Sequence, residues 1–474
     1  MNRIALSVCL SLCWASILLV AGCGRDKPPG VSDAQAGADI LLIGVDGLEW
    51  DVLLPLVRDG KAPAIAALMR RGVFGKLKTI RPTLSPVIWT TIATGKMPDQ
   101  HGINNFVKPA LMDGKPQLFS NRDRKTKAIW NIASDYDQRV AVVGWWMTYP
   151  VEPINGVMVA QTNTAQQLDI AGGKQIWKGR LIQGAAGQVY PPERQDSIMG
   201  LARETEGSLP LLTEAIFGKF EHPLSELGRR LWDNCLWSFR ADAVYVRVAE
   251  SLLSEAERFD LLAVYLGGTD VVGHRFWRYM EPGLYAHPPT EAQVANFGKV
   301  IENYYLYVDE VIGRLVSAAG PDARIIVCSD HGMKPVNTQG RFDPDDPPSN
   351  VNSAHHTNGE PGVIILAGLG LGRSKINRDV EKLQVYDLPT LGSVLEITPT
   401  VLALLSIPIG RDMSGSVNPR WVSADFLAGR PFRTVPTHDS VEWLTAHRSR
   451  TGQVPGADQR IEQLKDLGYI GGGE

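Results

Sequence analysis

Three things are scarce in this chain: cysteine, charge of one sign, and long apolar runs. Of five cysteines in 474 residues, Cys9, Cys13 and Cys23 sit near the N-terminus, leaving Cys235 and Cys328 in the body. At most one disulfide can form there, so the fold must be held by its core and not by covalent staples. Cys328 ends the run Arg324-Ile325-Ile326-Val327-Cys328 and reads as a buried small apolar residue. Charge is balanced, with 48 Lys+Arg against 51 Asp+Glu and a formal net of -3. No basic stretch is present, which excludes the electrostatic footprint of a nucleic-acid binder. No internal repeat or long low-complexity tract appears either.

The one long uncharged apolar run is Ile4–Val20, preceded by Arg3. It is short for a spanning helix. It leads into Leu19-Val20-Ala21-Gly22-Cys23 and then the polar Arg25-Asp26-Lys27-Pro28-Pro29. A charged start, an apolar stretch and small residues before a cut define a secretory signal. The cysteine directly after Ala-Gly resembles a bacterial lipobox. The expectation is a lipoprotein signal peptide over 1–22, a lipid anchor at Cys23 and a Pro/Gly/Ala tether over 23–38. That places the protein in the cell envelope, lipid-anchored to a bacterial membrane and facing the periplasm.

Beyond residue 38, apolar β-rich runs alternate with helical patterns. Ile40–Val45, Phe74–Thr79, Val140–Val143, Phe259–Leu266, Ile325–Ser329 and Val363–Ala367 read as buried strands. Strands that are apolar throughout and separated by helices indicate an α/β fold, a mostly parallel central sheet with helices on both faces. The expected catalytic domain covers 39–425. Residues 162–240 break the alternation and read as a helical insertion carrying Trp177, Trp232 and Trp237. Ala292–Ala319 reads as one long amphipathic helix. Residues 426–474 read as a C-terminal tail with a short amphipathic helix over Asp458–Leu467.

In such sheets functional residues collect at the carboxyl ends of strands. Asp46 follows Ile43-Gly44-Val45, Asp270 follows Tyr265-Leu266-Gly267-Gly268, and Asp330 and His331 follow Val327-Cys328-Ser329. His274 lies four residues after Asp270, a spacing that puts both side chains on one helix face. His355 and His356 occupy a polar loop before a buried strand. Carboxylates and imidazoles of this kind suit divalent cations: the mixed set favours Zn²⁺, with Mn²⁺ as the alternative. Each residue also has a plainer reading, as a helix cap or turn residue. Ser85 precedes Pro86, which suits a helix first turn. It reads as an N-cap and, on the same geometry, as a hydroxyl at a helix N-terminus, where free N–H groups favour a phosphate; the two readings are compatible.

The order of these motifs is specific: Val45-Asp46-Gly47; the Ser85 segment, running on to Thr94-Gly95-Lys96-Met97-Pro98-Asp99-Gln100-His101-Gly102-Ile103; Gly268-Thr269-Asp270 with His274; and Ser329-Asp330-His331-Gly332-Met333 with a late His. Over about residues 39–420 the chain resembles the alkaline phosphatase superfamily, and within it the type I phosphodiesterase/nucleotide pyrophosphatase branch. The segment Glu396–Pro408, ending in Asp412-Met413-Ser414-Gly415, resembles that family's late helix and turn. The resemblance implies two metal ions. One would be held by Asp46, Asp330 and His331, facing Ser85; the other by Asp270, His274 and His356. It aligns Ser85 with the family nucleophile, Thr83 being the weaker candidate, and prefers His356 to His355.

Two departures matter. The Asn that nucleotide pyrophosphatases carry three residues after the nucleophile is Ile88 here. The Cys/Ser-x-Pro-x-Arg pattern of sulfatases is absent, which argues against a formylglycine sulfatase. The expected activity is metal-dependent hydrolysis of a phosphomonoester or phosphodiester, on a small molecule or a headgroup, through a phosphoserine. The alternatives are a membrane-tethered phosphotransferase acting on envelope glycan or lipid headgroups, and a non-catalytic binding lipoprotein.

Overall fold

The computed structural model describes residues 36–108, 117–161, 163–169, 175–181, 187–336, 338–339, 352–374, 377–429 and 431–449. The signal peptide, Cys23, most of the tether and the helix expected over Asp458–Leu467 lie outside the described residues. Among those described, no helix is long and apolar enough to cross a membrane.

A nine-stranded sheet forms the centre. Its strands are β1 (Ala38–Val45), β2 (Val73–Lys78), β3 (Val140–Val143), β4 (Gly156–Val159), β5 (Val189–Tyr190), β6 (Phe259–Leu266), β7 (Arg324–Cys328), β8 (Gly362–Ala367) and β9 (Thr390–Ser393). Their order across the sheet is β9-β2-β8-β7-β1-β6-β3-β4-β5. Neighbours pair in parallel, except that β8 runs against β7 and β2, and β5 against β4. The sheet is therefore mostly parallel, and every strand read from an apolar run is present.

Period-two alternation splits each central strand between two cores. In β1, Leu41, Ile43 and Val45 belong to one core, while Ile40 and Leu42 belong to the other. The second face is covered by α1 (Ser85–Thr94), the first by α2 (Glu226–Leu253), α3 (Gly268–Met280) and α4 (Val300–Ala319). Cys235 and Cys328 are both buried and unbridged.

Two expectations change. Ala292–Ala319 is not one helix: Glu291–Phe297 ends at Gly298, whose N–H donates to Val294 O at 2.8 Å, and α4 starts at Val300. Glycine is a poor helix former, and Cβ at 298 would lie 2.7 Å from Val294 O. The insertion also opens with an antiparallel pair, Asn163–Asp169 with Gln175–Leu181, before its helices begin. Its last helix, α2, continues past residue 240 to Leu253 and packs on the sheet face, with Trp232 and Trp237 partly buried against that core. Past residue 426, the helix Val441–Arg448 docks through buried His447, whose Nδ1 lies 3.2 Å from Glu152 Oε2 and whose Nε2 lies 2.7 Å from Asn121 O.

Candidate metal centre

β7, β1 and β6 are neighbours running the same way, with Gly44 opposite Cys328 and Val45 opposite Leu266. Their carboxyl ends therefore lie side by side, and so do the residues that follow. Asp46 N–H donates to Leu266 O at 2.9 Å, tying the first loop to the second strand.

Six side chains converge there as two buried groups. Asp46, Asp330 and His331 form one, and Asp270, His274 and His356 the other; within each, the ligand atoms lie within 4.8 Å of one another. In the first, His331 Nε2 is 3.3 Å from both Asp46 Oδ1 and Asp330 Oδ2. All three atoms are buried and make no hydrogen bond to the described residues. In the second, Asp270 Oδ1 is 3.3 Å from His274 Nε2 and 3.8 Å from His356 Nε2. The two groups touch, because the rings of His331 and His356 stack with centroids 3.7 Å apart.

Surrounding bonds aim these atoms. His274 Nδ1 lies 2.8 Å from Ala354 O and His331 Nδ1 3.0 Å from Gly332 O. Each Nδ1 is taken up by a carbonyl, so Nε2 is the ring atom turned to its group. Asp46 Oδ2 accepts from Trp89 Nε1 at 3.0 Å and from the Tyr265 hydroxyl at 2.6 Å. Burial and the adjacent Asp46 keep that phenol neutral, with its pKa well above the usual range.

The electrostatics are those of carboxylates gathered out of water. Burial, and then Asp46, push the Asp330 carboxyl well above the usual carboxylate range. Burial opposes charge on His331, but Asp330 and Asp46 outweigh it and lift the ring to about 10. Burial and the neighbouring His331, His274 and His355 hold His356 well below the usual imidazole range. A cation bound there would take the place of the protons that Asp330 and His331 otherwise hold. The three unbonded donor atoms of the first group fit one, and the Asp/His chemistry of both groups suits a zinc-like cation.

The remaining expectations sort clearly. Ser85 is the first residue of α1; Leu84 occupies the cap position and Pro86 lies in the first turn. The N-cap reading of Ser85 is thus corrected. Its hydroxyl makes no hydrogen bond to the described residues. Ser85 is flanked by residues bonded to each group: Thr83 Oγ1 donates to His356 O at 2.8 Å, and Trp89 to Asp46. The Thr83 hydroxyl is committed to that carbonyl. His355 belongs to neither group; it is half-buried, and its Nδ1 accepts from His356 N–H at 2.9 Å.

Gly332 lets two loops approach closely. It is not one of the glycines at positive φ. A Cβ there would lie 2.1 Å from Glu49 Oε2, which accepts the Met333 N–H at 2.9 Å. Glu49 thus clamps the loop carrying Asp330 and His331, and Ser329 Oγ completes the clamp by accepting from Leu48 N–H at 3.0 Å. Neither Glu49, Trp89 nor Tyr265 was legible from the sequence. The 94–103 motif is tied to the chain around residues 412–439: Lys96 Nζ pairs with Asp412 Oδ2 and Asp439 Oδ2, each at 2.6 Å, and Gly95 O accepts from Ser414 and Gly415 N–H.

A family model described as "Type I phosphodiesterase / nucleotide pyrophosphatase" matches residues 40–392. No curated protein matches the chain. Solved structures to which it is similar include phosphonoacetate hydrolase from Sinorhizobium meliloti 1021, at 20% identity and TM-score 0.37, covering 64% of this chain; the chain spans only 57% of that protein's length. Murine ectonucleotide pyrophosphatase / phosphodiesterase 5 is 11% identical over 78% of this chain and 95% of its own, with TM-score 0.41. Alkaline phosphatase PafA is 12% identical over 83% of this chain and 100% of its own, with TM-score 0.49.

Proposed function

The chain belongs to the type I phosphodiesterase/nucleotide pyrophosphatase family, a family of hydrolases, and on that premise we propose that it cleaves phosphate esters at Ser85 with the help of two divalent cations. The observation that carries this reading is the pair of buried Asp/His groups in contact at the carboxyl ends of β7, β1 and β6. Asp46, Asp330 and His331 would hold one cation, and Asp270, His274 and His356 the other. Zn²⁺ suits this mixed set, Mn²⁺ less closely. The cations would supply positive charge to the phosphoryl oxygens and lower the pKa of the bound hydroxyl.

Ser85 Oγ attacks phosphorus, the ester oxygen leaves with the alcohol, and a phosphoserine remains. Water then displaces Ser85 and inorganic phosphate, or a phosphomonoester when the substrate is a diester, departs. At the start of α1, Pro86 has no N–H and those of Val87 and Ile88 donate to Leu84 O at 2.9 and 3.0 Å, which leaves the Ser85 N–H for a bound anion. The position three residues on is Ile88, fully buried, so this chain offers no amide side chain there to a phosphoryl oxygen.

The test is a panel of aryl phosphate monoester, aryl diester, sulfate and phosphonate, with metal content measured in parallel and acceptor alcohols added in one arm. Chelator-sensitive phosphate-ester turnover supports hydrolysis. Transfer to the alcohol in preference to water would move the assignment to phosphotransferase. On sequence grounds we also assign Cys23 as a lipid anchor that holds the enzyme at the envelope. Fatty-acid labelling lost in Cys23→Ser tests that separately.

A further inference from the structure

The nucleophile helix and the first metal group are joined by one side chain. Trp89 is the fifth residue of α1, four beyond Ser85, so the two share a helix face. Trp89 is fully buried, and its Nε1 donates to Asp46 Oδ2 at 3.0 Å. The Tyr265 hydroxyl, from β6, donates to the same oxygen at 2.6 Å. Both donors land on Oδ2, and Oδ1 faces His331 and Asp330. The two oxygens of one carboxylate are thus divided: one is occupied by the protein, the other presented to the group.

The surroundings lock this arrangement. The Trp89 ring meets Trp145 edge-on at 5.0 Å and Tyr265 edge-on at 5.2 Å. Trp145 Nε1 donates to Trp89 O at 3.2 Å, so the backbone of α1 is held as well as the ring. The strand leading to Asp46 leaves room for the indole: a Cβ on Gly44 would lie 2.6 Å from Trp89 Cζ3. Gly44 is two residues before Asp46 in β1, on the strand that carries the ligand. Nothing in the expected chemistry asks for an indole here.

We propose that Trp89 is a positioning residue that sets the distance between Ser85 and the Asp46 metal group, and that Tyr265 shares its grip on Asp46 without the tie to Ser85. The inference rests on the two-cation reading of the site. It separates the two donors by what each connects. The Tyr265 hydroxyl reaches Asp46 from β6 and not from the nucleophile helix, so it affects how firmly the first cation is bound. Trp89 holds Asp46 and also fixes α1, so it affects both cation binding and the placement of the nucleophile. Hydrogen-bond partners of metal ligands are typically worth about 10–100-fold in metal affinity or activity.

The experiment uses the full chain and the single variants Trp89→Phe and Tyr265→Phe, which keep an aromatic ring in each place. Zn²⁺ affinity of the metal-free proteins is measured by competition with a chromophoric chelator, and kcat and KM for an aryl phosphate ester are then measured at saturating Zn²⁺. Thermal unfolding in the metal-free state reports folding. Expected is a loss of about 10–100-fold in affinity at one of two sites in both variants, with the other site unchanged. At saturating Zn²⁺, Tyr265→Phe regains more kcat than Trp89→Phe, which stays low in kcat with KM little altered. Equal weakening of both sites, unaltered affinity at both, or full recovery of kcat in Trp89→Phe overturns the proposal while leaving the site's function intact. A wild-type chain that binds no Zn²⁺ overturns both.

Discussion

The His331 and His356 rings stack at 3.7 Å with an interplanar angle of 19°, although one ligand group claims the first and the other claims the second. The two groups therefore share a wall. Replacing either ring removes a ligand from one group and a packing partner from the other. His356→Ala is expected to abolish tight binding at its own site and to weaken the neighbouring site about tenfold, the scale of an outer-shell perturbation. Calorimetric titration of the metal-free protein with Zn²⁺ checks both.

His355→Ala should behave differently. His355 lies outside both groups; its Nδ1 accepts the His356 N–H, and its ring meets those of His274 and His356. Metal content is expected to remain two per chain, with turnover reduced far less than in His356→Ala. Two metals in His356→Ala and fewer in His355→Ala would reverse the assignment.

Ser85→Ala is expected to lower turnover by on the order of 10³-fold or more, as loss of a nucleophile does, while metal content stays at two. Thr83→Ala should retain most activity, since its hydroxyl serves the His356 carbonyl. Acid-quenched enzyme, digested and weighed, should carry phosphate on the peptide containing Ser85 in wild type and not in Ser85→Ala.

Glu152 anchors the C-terminal helix. Burial opposes its charge, but Arg124, His447 and Trp130 outweigh burial and bring its carboxyl down to about 2. Its pKa is lower folded than unfolded, so its stabilisation is present above about 4.5 and is lost as pH falls toward 2. The shift corresponds to on the order of 3 kcal/mol. Glu152→Gln leaves Arg124 buried without its partner and should cost about 3–5 kcal/mol at neutral pH. Urea midpoints followed from pH 7 downward should show the gap between wild type and variant closing below about 4.5.

Lys96→Met tests whether the 94–103 motif is structural. The amine is buried, while its partners Asp412 and Asp439 are partly exposed, with side chains 32% and 23% accessible. The expected cost is about 2–3 kcal/mol, less than a fully buried pair would lose. KM and kcat below the unfolding transition should hardly move, because Lys96 touches neither metal group.

The parts of this molecule legible in the sequence are those whose signal is local. β1, β6 and β7 are continuous apolar runs, and Asp46, Asp270 and Asp330 stand at their ends, so fold and carboxylates read together. The Asn163–Asp169 strand is polar along most of its length, so no alternation marks it. His355 and His356 are the same residue type side by side. Which ring turns inward depends on the strap in which Ser353 N–H donates to His274 O and Ala354 O meets His274 Nδ1, contacts between segments about 80 positions apart. Trp89 reads as core because its periodicity is that of core; its N–H has meaning only once Asp46, 43 positions earlier, is placed against it. Glu49 is likewise silent until the Asp330–Met333 loop folds over it.

The most direct test of the central claim is turnover of an aryl phosphate ester while the metal-free chain is titrated with Zn²⁺. Activity should be absent at the start, rise with added metal and level off at two equivalents per chain. Undiminished turnover by the metal-free chain, or full activity at one equivalent, would contradict a two-cation phosphoesterase built on these six ligands and Ser85.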